Sequence, residues 1–313
     1  MGESSEAGMG SVEMSSETAY IDDIHQKNNH LFDLKSTQTE QYRKELEKWQ
    51  EDIKARMAII RGDVNLKPKT SIIIPAYNEE RYILQLLDSI ASQHGCDSIE
   101  VLVVANNCTD QTSAFAKACG ARVLEYTYPK ESPQSKYPSK IADARQRGIE
   151  TVESEFIVTT DSDAILPQEF ITHMVSPLQN ESSVAAVCCG VKQYDTEDFS
   201  TKLADQIIEA VRNSVTKLVN PITLGSATAY RRADINDIGG YPRNLTYAED
   251  VWVGKKLAER GKIRFLPDQT AYVSARRTKE EIKKRGLLPH LFNEVRGSNV
   301  AHVSQDEASL NIR

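Results

Sequence analysis

Three short apolar runs constrain this chain most: TSIIIP at 70–75, IEVLVVA at 99–105 and ARVLEY at 121–126. Each is rich in β-branched or aliphatic residues and has the length of a strand. Between the first two, Leu84, Leu87 and Ile90 or Ala91 recur at helical spacing, and Asn78 is placed to cap that helix with Glu79 and Glu80 in its first turn. Between the second and third, TDQTSAFAKACG reads as a capped helix that stops at Gly120. Strand, helix, strand, helix, strand in this order requires a parallel sheet with right-handed crossovers.

The pattern continues less regularly. A loop with Pro129, Pro133 and Pro138 leads to a helix over 139–150, and FIVTTDSDAI (156–165) is a fourth strand that runs into Asp161 and Asp163. A helix over 167–179, a strand over 184–193 and a helix over 197–218 follow. TLGSATAYRR, a turn at Gly239-Gly240, a helix over 249–260, strands at 262–266 and 271–275 and a basic helical tail complete the order. Ahead of the sheet, residues 1–38 read as a polar, flexible lead. Leu46, Trp49, Ile53, Met57 and Ile60 then form one apolar stripe on a helix. That helix is expected to lie on the main domain, a partner or membrane surface being the alternative. The chain thus divides into a lead plus helix (1–65), a body (66–277) and a helical tail or lid (278–313).

Composition narrows the function. With 38 Lys and Arg against 45 Asp and Glu, the net charge of −7 argues against nucleic-acid binding. The five cysteines lack zinc-ligand spacing and read as reduced thiols. No apolar run approaches the roughly 20 residues that span a bilayer, and the N-terminus lacks the pattern of a secretory signal. The expectation is a cytoplasmic protein without a transmembrane segment. Peripheral membrane contact and homo-oligomerisation stay open.

Asp161 and Asp163 sit beyond the carboxyl end of a central strand, where open α/β sheets bind ligands. Three roles compete for them. They can favour the start of the next helix, although capping needs one acid and Pro167 is the better start. They can be the nucleophile pair of haloacid-dehalogenase-type phosphatases, but Ile165 stands where Thr or Val is usual. Or they can hold Mg²⁺ or Mn²⁺, which take one or two carboxylates together with phosphate oxygens.

The surrounding blocks resemble the family 2 glycosyltransferases of the GT-A fold. SIIIPAYNEE is similar to the family's opening strand and turn, and VVANNCTDQT to its second strand and base-binding loop. ADARQRGI resembles the helix before the metal motif, TTDSDA the motif itself, and GSATAYRRADINDIGGYPRNLTYAEDVWVGKKLAERG the acceptor-side block. The resemblance covers about 70–275. It implies an α/β, GT-A-type fold: a Rossmann-like, mixed and mostly parallel sheet flanked by helices, here with a helical N-terminal extension.

The resemblance also implies roles. Pro75, Tyr77 and Glu79 would line the base and ribose of a nucleotide-diphosphate sugar, and Lys140 would stand beside the nucleotide. Asp161 would face ribose and metal, Asp163 would be the principal metal ligand, and Arg276 and Arg277 would hold the diphosphate. Where the family commonly has acids, this chain has Ala105 and Asn106. Asn106 can still accept the uracil N–H through its amide oxygen but also donates, so UDP- and GDP-sugars are both expected donors. In YAED, Glu249 and Asp250 open a helix, a place that suits acids on structural grounds alone. By resemblance Asp250 is the general base on the acceptor hydroxyl, and the sugar's configuration inverts. A retaining enzyme and a non-catalytic nucleotide- or glycan-binding protein are the alternatives. The acceptor is not encoded in any motif.

Overall fold

Residues 16–35, read above as part of a polar, flexible lead, form helix α1 (Ser16–Lys35) in the computed structural model of this protein. The structure describes residues 16–37, 39–96, 98–128, 140–218, 227–243 and 249–289. Ile21, Ile24 and Leu31 of α1 are buried, and the stripe they form is completed by a polar residue, Asn28. The Asn28 amide donates to the Arg81 carbonyl at 2.8 Å, so the stripe closes without a fourth apolar side chain. Helix α2 (Glu40–Arg61) is capped by Thr39 and buries Trp49, Ile53, Met57 and Ile60 against the main body, with Leu46 partly covered. One carboxylate anchors both helices. Asp88 of α3 (Ile83–Ala91) accepts from Lys27 at 3.3 Å, from the Trp49 indole at 2.5 Å and from Arg56 at 2.6 Å.

The strands are β1 (Thr70–Ala76), β2 (Ile99–Asn106), β3 (Arg122–Tyr126), β4 (Phe156–Thr160), β5 (Ala164–Ile165), β6 (Val184–Gln193), β7 (Ala227–Arg231) and β8 (Lys262–Val273). They form one eight-stranded sheet in the order β3-β2-β1-β4-β7-β6-β8-β5. Pairing is parallel from β3 to β4 and between β6 and β8; β7 and β5 run antiparallel to their neighbours. The mixed, mostly parallel sheet expected from the sequence is therefore present. Alternate residues of β1 serve opposite faces: Ile72 and Ile74 join the core under α2, α3, α4 (Thr112–Ala118) and α6 (Phe170–Asn180), whereas Ile73 joins that under α5 (Lys140–Thr151) and α9 (Glu249–Ala258). Both faces are covered, as parallel strands require.

Several boundaries differ from expectation. Asn78 does not cap α3. It lies in a loop at φ +53° and accepts the Thr109 N–H, and α3 starts only at Ile83. Helix α6 starts at Phe170, three residues beyond Pro167. The two expected strands at 262–266 and 271–275 are one strand, β8, whose pairing with β6 jumps from Leu266 to Thr270. Pro267, which cannot donate to a ladder, falls in that irregularity. Helices α7 (Phe199–Leu218) and α10 (Arg276–Arg285) match expected helical segments, while α8 (Arg232–Asp237) was not anticipated. The expected tail beyond 289 lies outside the described residues. Among those described, no helix is long and apolar enough to cross a membrane.

Helix α5 packs directly on β1 and β2. At Gly148 an added Cβ would stand 2.4 Å from Ile73 Cγ2 and 3.2 Å from its Cδ1. Replacing Gly148 with Ala should therefore destabilise the protein by about 1–3 kcal/mol through overpacking, despite alanine's better helix propensity. Urea denaturation of the two proteins measures it; equal midpoints would show that α5 is free to back away.

Candidate active site

The strand order reverses between β1 and β4: β2 and β3 lie on one side of β1, β4 and the rest of the sheet on the other. Such a switch point opens a crevice at the carboxyl ends of the strands. A cleft of about 380 Å³ occupies it. Its walls include Pro75 and Tyr77 from the end of β1, Glu79, Asn106 from the end of β2, Asp161 from the end of β4, and Arg277 from α10. Six residues singled out in the sequence thus meet in one place. Ile141 and Ala144 of α5 close the remaining side. The side chain of Lys140 lies outside the described residues.

Two loops carry the rim, and each holds the other. The Glu79 N–H donates to Thr112 Oγ1 at 2.7 Å, the Glu80 N–H to Asp110 at 3.0 Å, the Thr109 N–H to Asn78 at 2.8 Å and the Gln111 N–H to Glu80 at 3.1 Å. Side-chain oxygens here satisfy backbone donors that no strand or helix engages. Asn78 and Asn107 take positive φ of +53° and +51°, a conformation asparagine tolerates better than most residues. The Tyr128 N–H donates to Asn107 Oδ1 at 2.9 Å, which orients the Asn107 amide, so its Nδ2 donates to Asn106 Oδ1 at 2.6 Å. The oxygen of Asn106 is engaged.

Below the rim, two arginines sit among acids. Arg145 of α5 is only 2% exposed; it donates to Asp161 at 3.0 Å and to Glu249, the first residue of α9, at 2.7 Å. Burial pulls the pKa of its guanidinium down, but Tyr241, Asp161 and Glu249 outweigh it, and the net shift is upward. Burial raises Glu249 above the usual carboxylate range; Arg145 opposes this and Asp250 adds to it. Arg276, at the start of α10, contacts Glu79 at 2.6 Å and Asp163 at 3.0 Å, with its guanidinium 4.5 Å from the centre of the Tyr82 ring. Asp163 is buried and pushed up to about 6, first by burial and then by Asp161 and Glu79, against the pull of Arg276.

The sequence-predicted residues therefore separate into two layers. Pro75, Tyr77, Glu79, Asn106, Asp161 and Arg277 line the cleft, whereas Asp163 and Arg276 are paired with each other beneath it. Glu79 belongs to both layers. Asp250 is half-buried on the first turn of α9, where its Oδ1 accepts the Val251 N–H at 2.8 Å. Trp252 packs against the core rather than standing in the cleft. Arg145 escaped sequence reasoning. Its one signal was position, a charged side chain on a helix face otherwise built from Ala142, Ala144, Ile149 and Val152.

The acids fit a hard divalent cation. Asp161 and Asp163 offer only oxygen, and Glu79 Oε2 is buried without a hydrogen-bond partner. Asp163 rises first through burial, with Asp161 and Glu79 adding to it. Among the described residues, no group of three or more His, Cys, Asp or Glu is arranged around a metal position. Two carboxylates completed by ligand oxygens are instead the arrangement Mg²⁺ accepts.

Residues 71–239 match the sequence profile of glycosyl transferase family 2. Over 232 residues the chain is 27% identical to the poly(ribitol-phosphate) beta-N-acetylglucosaminyltransferase TarS of Staphylococcus aureus, a match covering 72% of this chain and 39% of that protein. It is 28% identical over 229 residues to the glycosyltransferase AglE of Haloferax volcanii, covering 70% and 71% respectively. The chain thus spans about two fifths of the length of the curated staphylococcal relatives. The structure of S. aureus TarS 1-349 in complex with UDP-GlcNAc aligns with a TM-score of 0.50 at 25% identity, over 66% of this chain and 58% of that one. The mannosyltransferase PcManGT of Pyrobaculum calidifontis, solved with GDP-Man and Mn²⁺, aligns with a TM-score of 0.50 at 18% identity, over 92% and 82%, and shares the fold.

Replacing Arg145 with Met takes from Asp161 and Glu249 the buried guanidinium they share. It should cost about 3–5 kcal/mol in urea denaturation, the range for breaking a buried ion pair on one side. Lys should not restore it, because one ammonium cannot reach in two directions as the guanidinium fork does. Removing both acids as well, in R145M/D161N/E249Q, should recover much of the loss. A triple variant no more stable than R145M would mean that Arg145 acts by packing alone.

Proposed function

This chain belongs to glycosyl transferase family 2, and from that membership we propose that it transfers a sugar from a nucleotide-diphosphate donor to an acceptor hydroxyl. The observation that carries this reading is the switch-point cleft, in which Pro75, Tyr77, Asn106, Asp161 and Arg277 converge from four separate segments. Pro75 and Tyr77 flank the base and ribose, and Asn106 stands beside the base. The UDP-GlcNAc-bound relative supports a UDP-sugar, with a GDP-sugar as the second donor to test. Arg277 faces the diphosphate, which a planar guanidinium grips by paired hydrogen bonds.

Asp161 and Asp163 would hold Mn²⁺ or Mg²⁺. The bound ion supplies Lewis-acid stabilisation of the charge that develops on the departing diphosphate. Arg145 commits Glu249 to an ion pair, which assigns the proton-accepting role of the Glu-Asp pair to Asp250. Asp250 takes the proton as the acceptor hydroxyl attacks the anomeric carbon. The new C–O bond forms on the face opposite the leaving diphosphate, and the configuration inverts. No disulfide joins the five cysteines, in keeping with the reducing, cytoplasmic setting we propose.

Thermal shift against UDP, GDP, dTDP, ADP and their sugars, with and without Mn²⁺, tests donor and cation together. A ligand at 100 times its Kd should add about 2.7 kcal/mol of stability, with chelation of the metal reducing the shift. A protein indifferent to every nucleotide would exclude the reading. Asp250→Asn should lower kcat by about 10²–10⁴-fold, the usual contribution of a general base, and leave donor affinity unchanged. Normal turnover in that variant would move the base elsewhere.

A further inference from the structure

Arg276 was expected to hold a diphosphate, yet its guanidinium contacts two carboxylates instead, Glu79 at 2.6 Å and Asp163 at 3.0 Å. It is three-quarters buried at the foot of the cleft and stacks on Tyr82. The adjacent residue, Arg277, already lines the cleft, and both belong to the first turn of α10. We propose that Arg276 is a resident cation that competes with the divalent metal for Asp163 and transfers to the donor's diphosphate when metal and donor bind. The proposal rests on the metal reading above.

The physical case is as follows. A metal bound by Asp163 and the guanidinium beside it would be like charges sharing one carboxylate in a poorly solvated site, where their repulsion is strong. An amine can escape such a clash by losing its proton; a guanidinium cannot. The conflict is relieved only by movement. The nearest new source of negative charge is the diphosphate, one residue away at Arg277, and its oxygens match the fork of the side chain as well as carboxylates do. Glu79, released by the same step, already has one oxygen without a partner.

Metal and donor are then linked: each makes room or provides a partner for what the other displaces. Linkage is reciprocal. Metal alone must bind weakly against Arg276, and metal with donor must bind well. The turn that carries Arg276 and Arg277 registers both events.

Mn²⁺ binding to the full chain, followed by electron paramagnetic resonance with and without UDP, tests this. The wild type should bind Mn²⁺ weakly alone and about tenfold or more tightly with UDP, within the usual range of such coupling. Arg276→Met should tighten Mn²⁺ binding in the absence of UDP, weaken UDP in the presence of Mn²⁺, and so shrink the coupling. Opposite signs on the two ligands are what loss of a merely structural contact does not produce. Arg276→Gln, polar and neutral, carries the same expectation should the Met variant fail to fold. Arg277→Met should weaken UDP only. Unchanged or weaker Mn²⁺ binding in R276M and R276Q would overturn the competition while leaving the metal reading intact. A wild type that binds UDP but no Mn²⁺ under any condition would remove the metal reading itself, and the competition with it.

Discussion

A single buried guanidinium fixes the geometry of this site. Arg145 leaves α5 on the inner side, reaches Asp161 at the end of β4 with one nitrogen and Glu249 at the start of α9 with another. These acids stand 88 residues apart in sequence and belong to opposite ends of the proposed reaction, Asp161 lining the cleft and Glu249 preceding the proposed base. A charge so deeply placed is stable only while both partners stay in reach, because losing either exposes its desolvation cost. The pairing therefore holds the two ends at one separation. It also explains the tight seat of α5, since a helix lifted from β1 would carry Arg145 out of reach. Gly148, where no Cβ fits, is the sequence record of that closeness.

The N-terminal helices have a part in the same mechanics. Through Asp88 they are tied to α3, and through Asn28 and Lys35 they touch the loop that leads into it, at the Arg81 carbonyl and at Glu80. Glu80 in turn receives the Gln111 N–H from the opposite loop. The cleft rim is thus supported from outside as well as cross-linked within. Loops that are rigid before a ligand arrives lose less entropy when it binds, which suits a site whose walls come from several strand ends.

How much of this was legible follows from what each feature depends on. β1, β2, β3, β4 and β6 were visible because an apolar run is a local property. Asp161 was visible because it follows a strand that ends at a switch point, whereas Pro75, Tyr77, Glu79, Asn106 and Arg277 were named through the family resemblance of their blocks. α1 was hidden by Asn28, whose partner is a carbonyl 53 residues away. β8 was divided by Pro267, which punctuates a sequence more strongly than it does a strand with an irregular pairing. The ionic layer was the least legible part. Arg145 to Glu249 and Arg276 to Glu79 span 104 and 197 residues, and no periodicity encodes a pairing at that range.

That ionic layer also bears on why a metal and a nucleotide would be used together. Glu79, Asp161, Asp163 and Glu249 are four acids, and the structure sets two arginines against them. The imbalance is felt at Asp163, which Asp161 and Glu79 help push toward its neutral form. A divalent cation alone would make up the difference in charge but would crowd Arg276. A diphosphate alone would meet a floor of carboxylates and be repelled. Bound together, as proposed, they would bring compensating charges, and each arginine would keep an anionic partner: Arg145 its two acids, Arg276 and Arg277 the phosphates. The same sum holds in reverse after transfer. Under the proposed reaction the departing nucleotide diphosphate would carry more negative charge than the donor did, and Arg276 and Arg277 would hold it more tightly than they held the donor.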